Sequence, residues 1–197
     1  MNPRILNILS ELYDDCRIER RLETIAYRER EGINLHAVAP HCGPLAVCPI
    51  TLLSNRRFDL PDHGADAVEG CIIEALGADG ESVIDLCAWP ISDPSDVCSL
   101  CGVAPMVGLS NTLNSSTYFL GHPLVVHRNP LDWLRADCHG AAVVVPQLAA
   151  RVLLEIADIG GRVGAEDFDH ARELRRHLDA MTRRVEIVAP KPNRIVA

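Results

Sequence analysis

"PLVVHRNPLDWLRADCHGAAVVVPQLAARVLLEIADIGG", residues 123–161, is the stretch whose reading decides the fold. It opens with PLVVH, a short, β-branched apolar run that reads as a strand. Asn129 follows as a helix cap, and Pro130 suits the first helical position, so NPLDWLRADCHG reads as a short helix. AAVVV is apolar throughout and reads as a second, buried strand. PQLAARVLLEIADIGG is then a mostly apolar helix ending at Gly160. Strand, helix, strand, helix predicts a β-α-β-α unit, parallel and right-handed if the two strands share a sheet.

Working outward, residues 165–184 read as a last helix. Acids stand first (Glu166, Asp167, Asp169) and arginines last (Arg183, Arg184), as the helix dipole favours. Phe168, Ala171, Leu174, Leu178 and Met181 form its expected inner stripe. The tail VEIVAPKPNRIVA has room for one more strand before its prolines. Upstream, VEGCIIEAL and SVIDLCAWPI flank the Gly- and Asp-rich GADGE, which predicts a β-hairpin over 68–91. Residues 33–66 lack a clear period. A short strand is expected over Leu45–Leu52, at an edge or bent because Pro49 interrupts it, and LPDHGADA reads as a polar loop.

At the N-terminus Ile5, Ile8, Leu9, Leu12, Cys16, Leu22, Ile25 and Ala26 recur at three- and four-residue steps. They predict helix over 3–30, with a break near Asp14–Asp15 as the alternative and Gly32 just past its end. The expected architecture is α+β: a single domain with a mixed β-sheet, an N-terminal helical arm (1–32) and two C-terminal helices within an α+β domain (33–197). The stripe of Ile5, Ile8, Leu9, Leu12 and Cys16 is too apolar for a free arm. The C-terminal helices of the same chain are one expected cover for it and a second copy of the chain is the other, which makes a homodimer an expectation.

Composition narrows the function classes. The chain has 197 residues and is 48% hydrophobic but only 4% aromatic, so its core must be built from aliphatic side chains. No apolar run is long enough to cross a membrane, and no secretory leader pattern opens the sequence. A cytoplasmic setting is expected, with eight cysteines as free thiols. The net charge is -8, and its distribution is uneven. From Phe58 to His127 there is no Lys or Arg, against ten acids: Asp59, Asp62, Asp66, Glu69, Glu74, Asp79, Glu81, Asp85, Asp93 and Asp96. The remainder holds all 19 basic residues. Phosphate contacts need Lys and Arg, so the middle is not expected to bind nucleic acid. It reads as a solvated acidic surface, with a docking face for a basic protein partner or a mimic of a phosphate backbone as the alternatives.

Three constellations bear on chemistry. The first is Cys98-Ser-Leu-Cys101, within SDPSDVCSLCG. Ser92 or Asp93 can cap a helix, Pro94 can open it and Gly102 can close it, which places both thiols on one helix face. A structural zinc site needs a second Cys/His pair at ligand spacing. The adjacent pairs His41–Cys42 and Cys138–His139 do not supply it, so core cysteines are the simpler reading and no metal or other cofactor is expected. The second is Asp62–His63 with Asp66, either a general-base or metal cluster or the turn residues of an acidic loop. The third is His127, Arg128, Asn129, Asp132 and Trp133, where a strand ends and a helix begins. Ligands of α/β sheets bind outside the carboxyl ends of strands, so His127, Arg128, Asn129 and Asp132 are the ligand-binding candidates. Against this, Asn129 serves as a cap and Trp133 as core. Signatures of phosphate-binding loops, dinucleotide-binding turns and nucleophile elbows are absent, and no catalytic residue is assigned.

Two resemblances follow from these residues. VIDLCAWP, the Cys-x-x-Cys, VAP and GHPLVVH together resemble the thioredoxin family, which would imply a redox dithiol at Cys98 and Cys101. The likeness departs from that family in the long loop before the dithiol, the short spacing to Pro123, and Ser-Leu between the cysteines. DLCAWPISDP followed by HRNPLDWLRADCHGAAVV resembles a loose group of uncharacterised bacterial proteins, often linked to prophages or other mobile elements. That resemblance implies no activity. The leading expectation is a non-catalytic binding protein. The alternatives are a small-ligand binder or enzyme with its site at 127–133, and a thioredoxin-like or zinc-binding protein acting through Cys98 and Cys101.

Overall fold

A computed structural model describes Ile5, Ile8 and residues 20–60, 66–113 and 122–182. It is α+β, as expected, and its strands form a closed five-stranded barrel and a four-stranded mixed sheet.

α1 (Arg21–Glu31) is ended by Gly32 in the left-handed conformation at φ 70°. α2 (Leu35–Cys42) follows, in a stretch with no expected element. Pro40 and the flanking Gly43 hide it from a periodicity reading, yet Val38 and Cys42 bury fully in the core. β1 (Ala46–Leu53) and β2 (Arg57–Asp59) form a hairpin whose turn places Asn55 and Arg56 at positive φ. β2 is likewise absent from the sequence expectation.

Pro49 sits inside β1 at no cost to the ladder. The Ile91 N–H donates to the Glu69 carbonyl, so Glu69 turns its polar groups away from Pro49, its partner across the pair. The Pro49 nitrogen therefore faces the other side, where β2 pairs only from Thr51 onward. On that same side the Val47 N–H finds the Thr24 hydroxyl of α1 at 3.0 Å.

β3 (Val68–Leu76) and β4 (Val83–Pro90) form the expected antiparallel hairpin. β5 (Cys98–Ser99) closes the barrel by pairing with both β4 and β2. The expected helix around the two cysteines is thus corrected: the segment is a short strand followed by a turn, and Gly102 at φ 71° serves the turn. β4 and β2 offer two open ladders, and pairing with both outweighs the local capping pattern of SDPS.

Every barrel strand contributes to one interior cluster: Cys48 and Ile50, Phe58, Ile72, Leu86 and Ala88, Cys98 and Leu100. Ile5 and Ile8, both helical, are buried in that same cluster. Two residues of the N-terminal apolar stripe are therefore covered within the chain, by the barrel; Leu9, Leu12 and Cys16 lie outside the described residues.

The barrel's outer face presents Val47, Cys71, Ile73, Cys87 and Trp89 to the remainder of the fold. There β6 (Met106–Val107), α3 (Leu109–Leu113), β7 (Leu124–His127), α4 (Pro130–Arg135), β8 (Ala141–Val143), α5 (Pro146–Asp158), β9 (Val163–Ala165) and α6 (Phe168–Thr182) follow in order. The four-stranded sheet runs β6-β8-β7-β9. β7 is parallel to β8, as the 123–161 stretch predicts, and also to β9, which the sequence reading lacks. One sheet face packs on α5 and α6; Trp133 and Leu134 of α4 join the barrel cluster from the other.

The inner stripe of α6 is corrected. Leu174 is buried and Leu178 half-buried, but Phe168 is 88% exposed and Ala171 is exposed. His170 is buried instead. The inward row is 170, 174 and 178, a strict four-residue step that lies on one face of a helix. The Met181 side chain and the tail from 183 lie outside the described residues, as do Asp62 and His63.

Candidate functional site

Three parallel strands end together at one edge. His127 is the last residue of β7, Val143 of β8 and Ala165 of β9. The chain leaves β7 for β8 through α4, then returns across β7 to reach β9 through α5. β7 is thus the strand where the winding reverses, and crevices beyond the carboxyl ends of strands at such points are where open α/β sheets hold ligands.

The four candidate residues meet here with partners that the sequence does not indicate. His127 Nδ1 lies 2.8 Å from Glu166 Oε1, and its Nε2 lies 2.9 Å from the His139 carbonyl oxygen. The Arg128 backbone N–H donates to Glu166 Oε2 at 3.3 Å, and its guanidinium reaches both oxygens of Asp167 at 2.8 Å. The hydrogen bond from the His170 N–H at the start of α6, and then that pairing, hold the Asp167 carboxyl below its usual range. Asn129 caps α4 by accepting the Asp132 N–H at 2.9 Å, while its amide donates to Asp132 Oδ2 at 2.7 Å. Asp132 also pairs with Arg135 at 3.3 Å, and Arg135 bonds Glu31 of α1. Trp133 is core: its indole N–H donates to the Gly140 carbonyl at 3.1 Å.

Comparison with family models, curated proteins and solved structures returns no match to this chain. The site is therefore read from its own geometry.

One buried ring nitrogen in it has no hydrogen bond. His170 is 3% exposed, and its Nδ1 stops 3.9 Å from Glu166 Oε2, beyond bonding distance. Burial holds this imidazole below the usual histidine range despite Glu166 nearby. Glu166 thus stands between two imidazoles, one bonded and one not. Glu166, Asp167 and His170 are the residues sequence reasoning missed. The acids read as dipole partners of a helix start, and β9, which delivers them, is only three residues long.

Cys98 and Cys101 do not form an exposed dithiol. Cys98 is buried in the barrel interior, where burial and Asp96 push its thiol up to about 11, and Cys101 is half-buried. A thiol raised in this way is a poor nucleophile. Cys42, Cys71, Cys87 and Cys138 share the outer cluster, and burial raises the thiols of Cys71 and Cys87. Among the described residues no group of three or more His, Cys, Asp or Glu is placed to hold a metal ion.

The loop of Cys101 is instead built around Asp85, a carboxylate inside β4 that is 0% exposed. Its Oδ1 accepts the N–H groups of Leu86 and Cys101, and its Oδ2 accepts those of Val103 and Ala104 and the Ser99 hydroxyl. From the opposite side the Arg57 guanidinium donates to the carbonyls of Ser99 and Leu100. One carboxylate and one guanidinium satisfy the backbone of a loop that has no ladder of its own.

Proposed function

We propose that the protein acts by binding a protein partner rather than by catalysis. The observation that carries this reading is the engagement of the chemical groups at the strand ends. His127 is hydrogen-bonded at both ring nitrogens, and Arg128, Asn129 and Asp132 are each held by a partner within the chain. A general base or nucleophile needs an atom it can present to a substrate, and His127, buried and bonded at both ring nitrogens, presents none.

The charge pattern supports a basic partner. Asp66, Asp79, Glu81, Asp93 and Asp96 are exposed, in a stretch with no Lys or Arg of its own. Hydrogen bonds from Ser82 hold Asp79 at about 2, and hydrogen bonds from Ser95 lower Asp93, so both stay ionised through mild acid. Such a surface steers a positively charged protein and slows with salt. A cytoplasmic setting and a link to mobile elements fit this reading as expectations.

Affinity capture on the full-length chain and on a variant with Asp79, Glu81, Asp93 and Asp96 changed to their amides tests the reading. It expects a discrete partner on the native chain, released by about 0.5 M salt and lost with the variant. A small molecule that raises the melting temperature of the native chain, and fails to do so after Arg128→Ala, would instead favour a ligand site at 127–133.

A further inference from the structure

We propose that Cys42 and Cys138 are a redox pair: hydrogen peroxide converts them to a disulfide that ties the end of α2 to the turn after α4. The two thiols come from opposite halves of the chain and meet in the cluster outside the barrel, Cys42 0% and Cys138 2% exposed. There the Cys138 thiol is hydrogen-bonded to the Cys42 sulfur. Cys42 in turn donates to the Val38 carbonyl, one helical turn back, at 3.4 Å. Both sulfurs are carried by fixed backbone. Cys42 is the last residue of α2. Cys138 stands at φ 59°, its N–H donating to the Trp133 carbonyl and its carbonyl accepting the Asn111 amide, each at 3.0 Å. Exposed Asp137 and His139 flank it, and exposed His41 precedes Cys42, so the pair lies just under the surface, within reach of a molecule the size of peroxide. Cys71 and Cys87 share the cluster, but Cys71 pairs across the ladder with Trp89 and Cys87 with Ile73. Such diagonal neighbours on adjacent strands stand farther apart than a disulfide spans.

The hydrogen bond sets the order of the steps. Held by Cys42 and buried, the Cys138 thiol keeps its proton well above the usual thiol range. Cys42 is therefore the sulfur that reacts first, as a thiolate facing the Cys138 S–H. It attacks one peroxide oxygen and the O–O bond breaks. Cys42 becomes a sulfenic acid, and the other oxygen leaves as hydroxide and takes up the proton that Cys42 released. With no charge left on Cys42, the hold on the Cys138 proton eases. The Cys138 sulfur then attacks the Cys42 sulfur, the S–O bond breaks, and the departing hydroxide leaves as water with the Cys138 proton. In sum, two thiols and one hydrogen peroxide give one disulfide and two waters, with two electrons passing from sulfur to oxygen. A dithiol reductant reverses the change by exchange. The turn so secured supplies the His139 and Gly140 carbonyls that hold His127 and Trp133, so the cross-link stiffens the junction of β7 and α4 against α2.

The test is peptide mapping of the full-length chain after brief treatment with stoichiometric hydrogen peroxide, the remaining thiols being alkylated and no reductant added. The expected product is a Cys42–Cys138 cross-link with two alkylatable thiols fewer. Its melting temperature should rise by roughly 5 °C, because closing a loop of about half the chain restricts the unfolded state. Dithiothreitol should reverse all three changes. In Cys138→Ser the reaction should stop at the sulfenic acid, trapped on Cys42 by dimedone. A native chain that keeps all its thiols, or that links Cys98 to Cys101 first, overturns the proposal. So does a cross-link that lowers the melting temperature, or a Cys138→Ser chain in which dimedone leaves Cys42 unmodified. The map of the native chain decides the matter even if the serine variant fails to fold.

Discussion

The Asp85 carboxylate accepts the Ser99 hydroxyl at 2.7 Å, and with it the N–H groups of Cys101, Val103 and Ala104. A charged residue in the middle of an apolar strand is thus the anchor of the whole 99–104 turn. Asp85→Asn keeps the size but replaces one acceptor oxygen with a donor. Either the set on Oδ1 or the set on Oδ2 then loses its acceptor. The expected cost is about 3–5 kcal/mol, since buried donors left unpaired are expensive. Urea unfolding of the variant, showing a lower midpoint at unchanged slope, checks it; a loss below about 1 kcal/mol would mean the turn holds itself.

Glu74 predicts the opposite sign. This carboxylate is half-buried against Gly43, and burial raises it above the ordinary value of 4.5. A raised carboxyl favours folding below its unfolded value and loses that contribution as pH rises through its folded value. Glu74→Gln should therefore melt higher than the native chain at pH 7, by roughly one to a few degrees. The advantage should shrink toward pH 4. A native chain that melts as high as the variant at pH 7 would show that the carboxylate is well solvated.

Ile5 is 0% exposed within the barrel cluster. Ile5→Ala should cost about 2–4 kcal/mol through lost burial and the cavity left behind. The cost should be the same at micromolar and at hundred-micromolar protein, because both partners belong to one chain. A loss that disappears at high protein concentration would restore a second copy as the cover for this helix.

Asn129 should behave as a cap. Asn129→Ala removes the acceptor of the Asp132 N–H and should lower stability by about 1 kcal/mol, while Asn129→Ser should largely preserve it. If either change abolishes partner capture without lowering the melting temperature, Asn129 is a contact residue and not a cap.

Duplex DNA is not expected to bind at micromolar concentration in physiological salt. The stretch from Phe58 to His127 offers ten acids and no Lys or Arg, so phosphate has no counter-charge there. Micromolar binding that survives alanine substitution of the exposed α6 arginines would contradict this.

Local signals made much of the fold legible in the sequence. Asn129 and Pro130 fix the start of α4, Gly32 fixes the end of α1, and two β-branched runs about a Gly-rich turn give β3 and β4. These features act within a few residues of themselves, which is why a sequence states them. The same locality put His127, Arg128, Asn129 and Asp132 on one strand-helix junction, where they are.

The tertiary structure decided what lies far apart in the chain. β5 and β9 are two and three residues long, too short to show a period, and exist because longer strands beside them offer unpaired backbone groups. Helical capping signs around Cys98 lost to that pairing. Phe168 turned outward and His170 inward because the packing of α6 on α5 and the sheet fixes which row of the helix is covered. Glu166 reaches His127 across 39 residues, and Asp85 reaches Ala104 across 19. No periodicity or spacing encodes such contacts, because they depend on which strands become neighbours, and burial across the whole chain decides that.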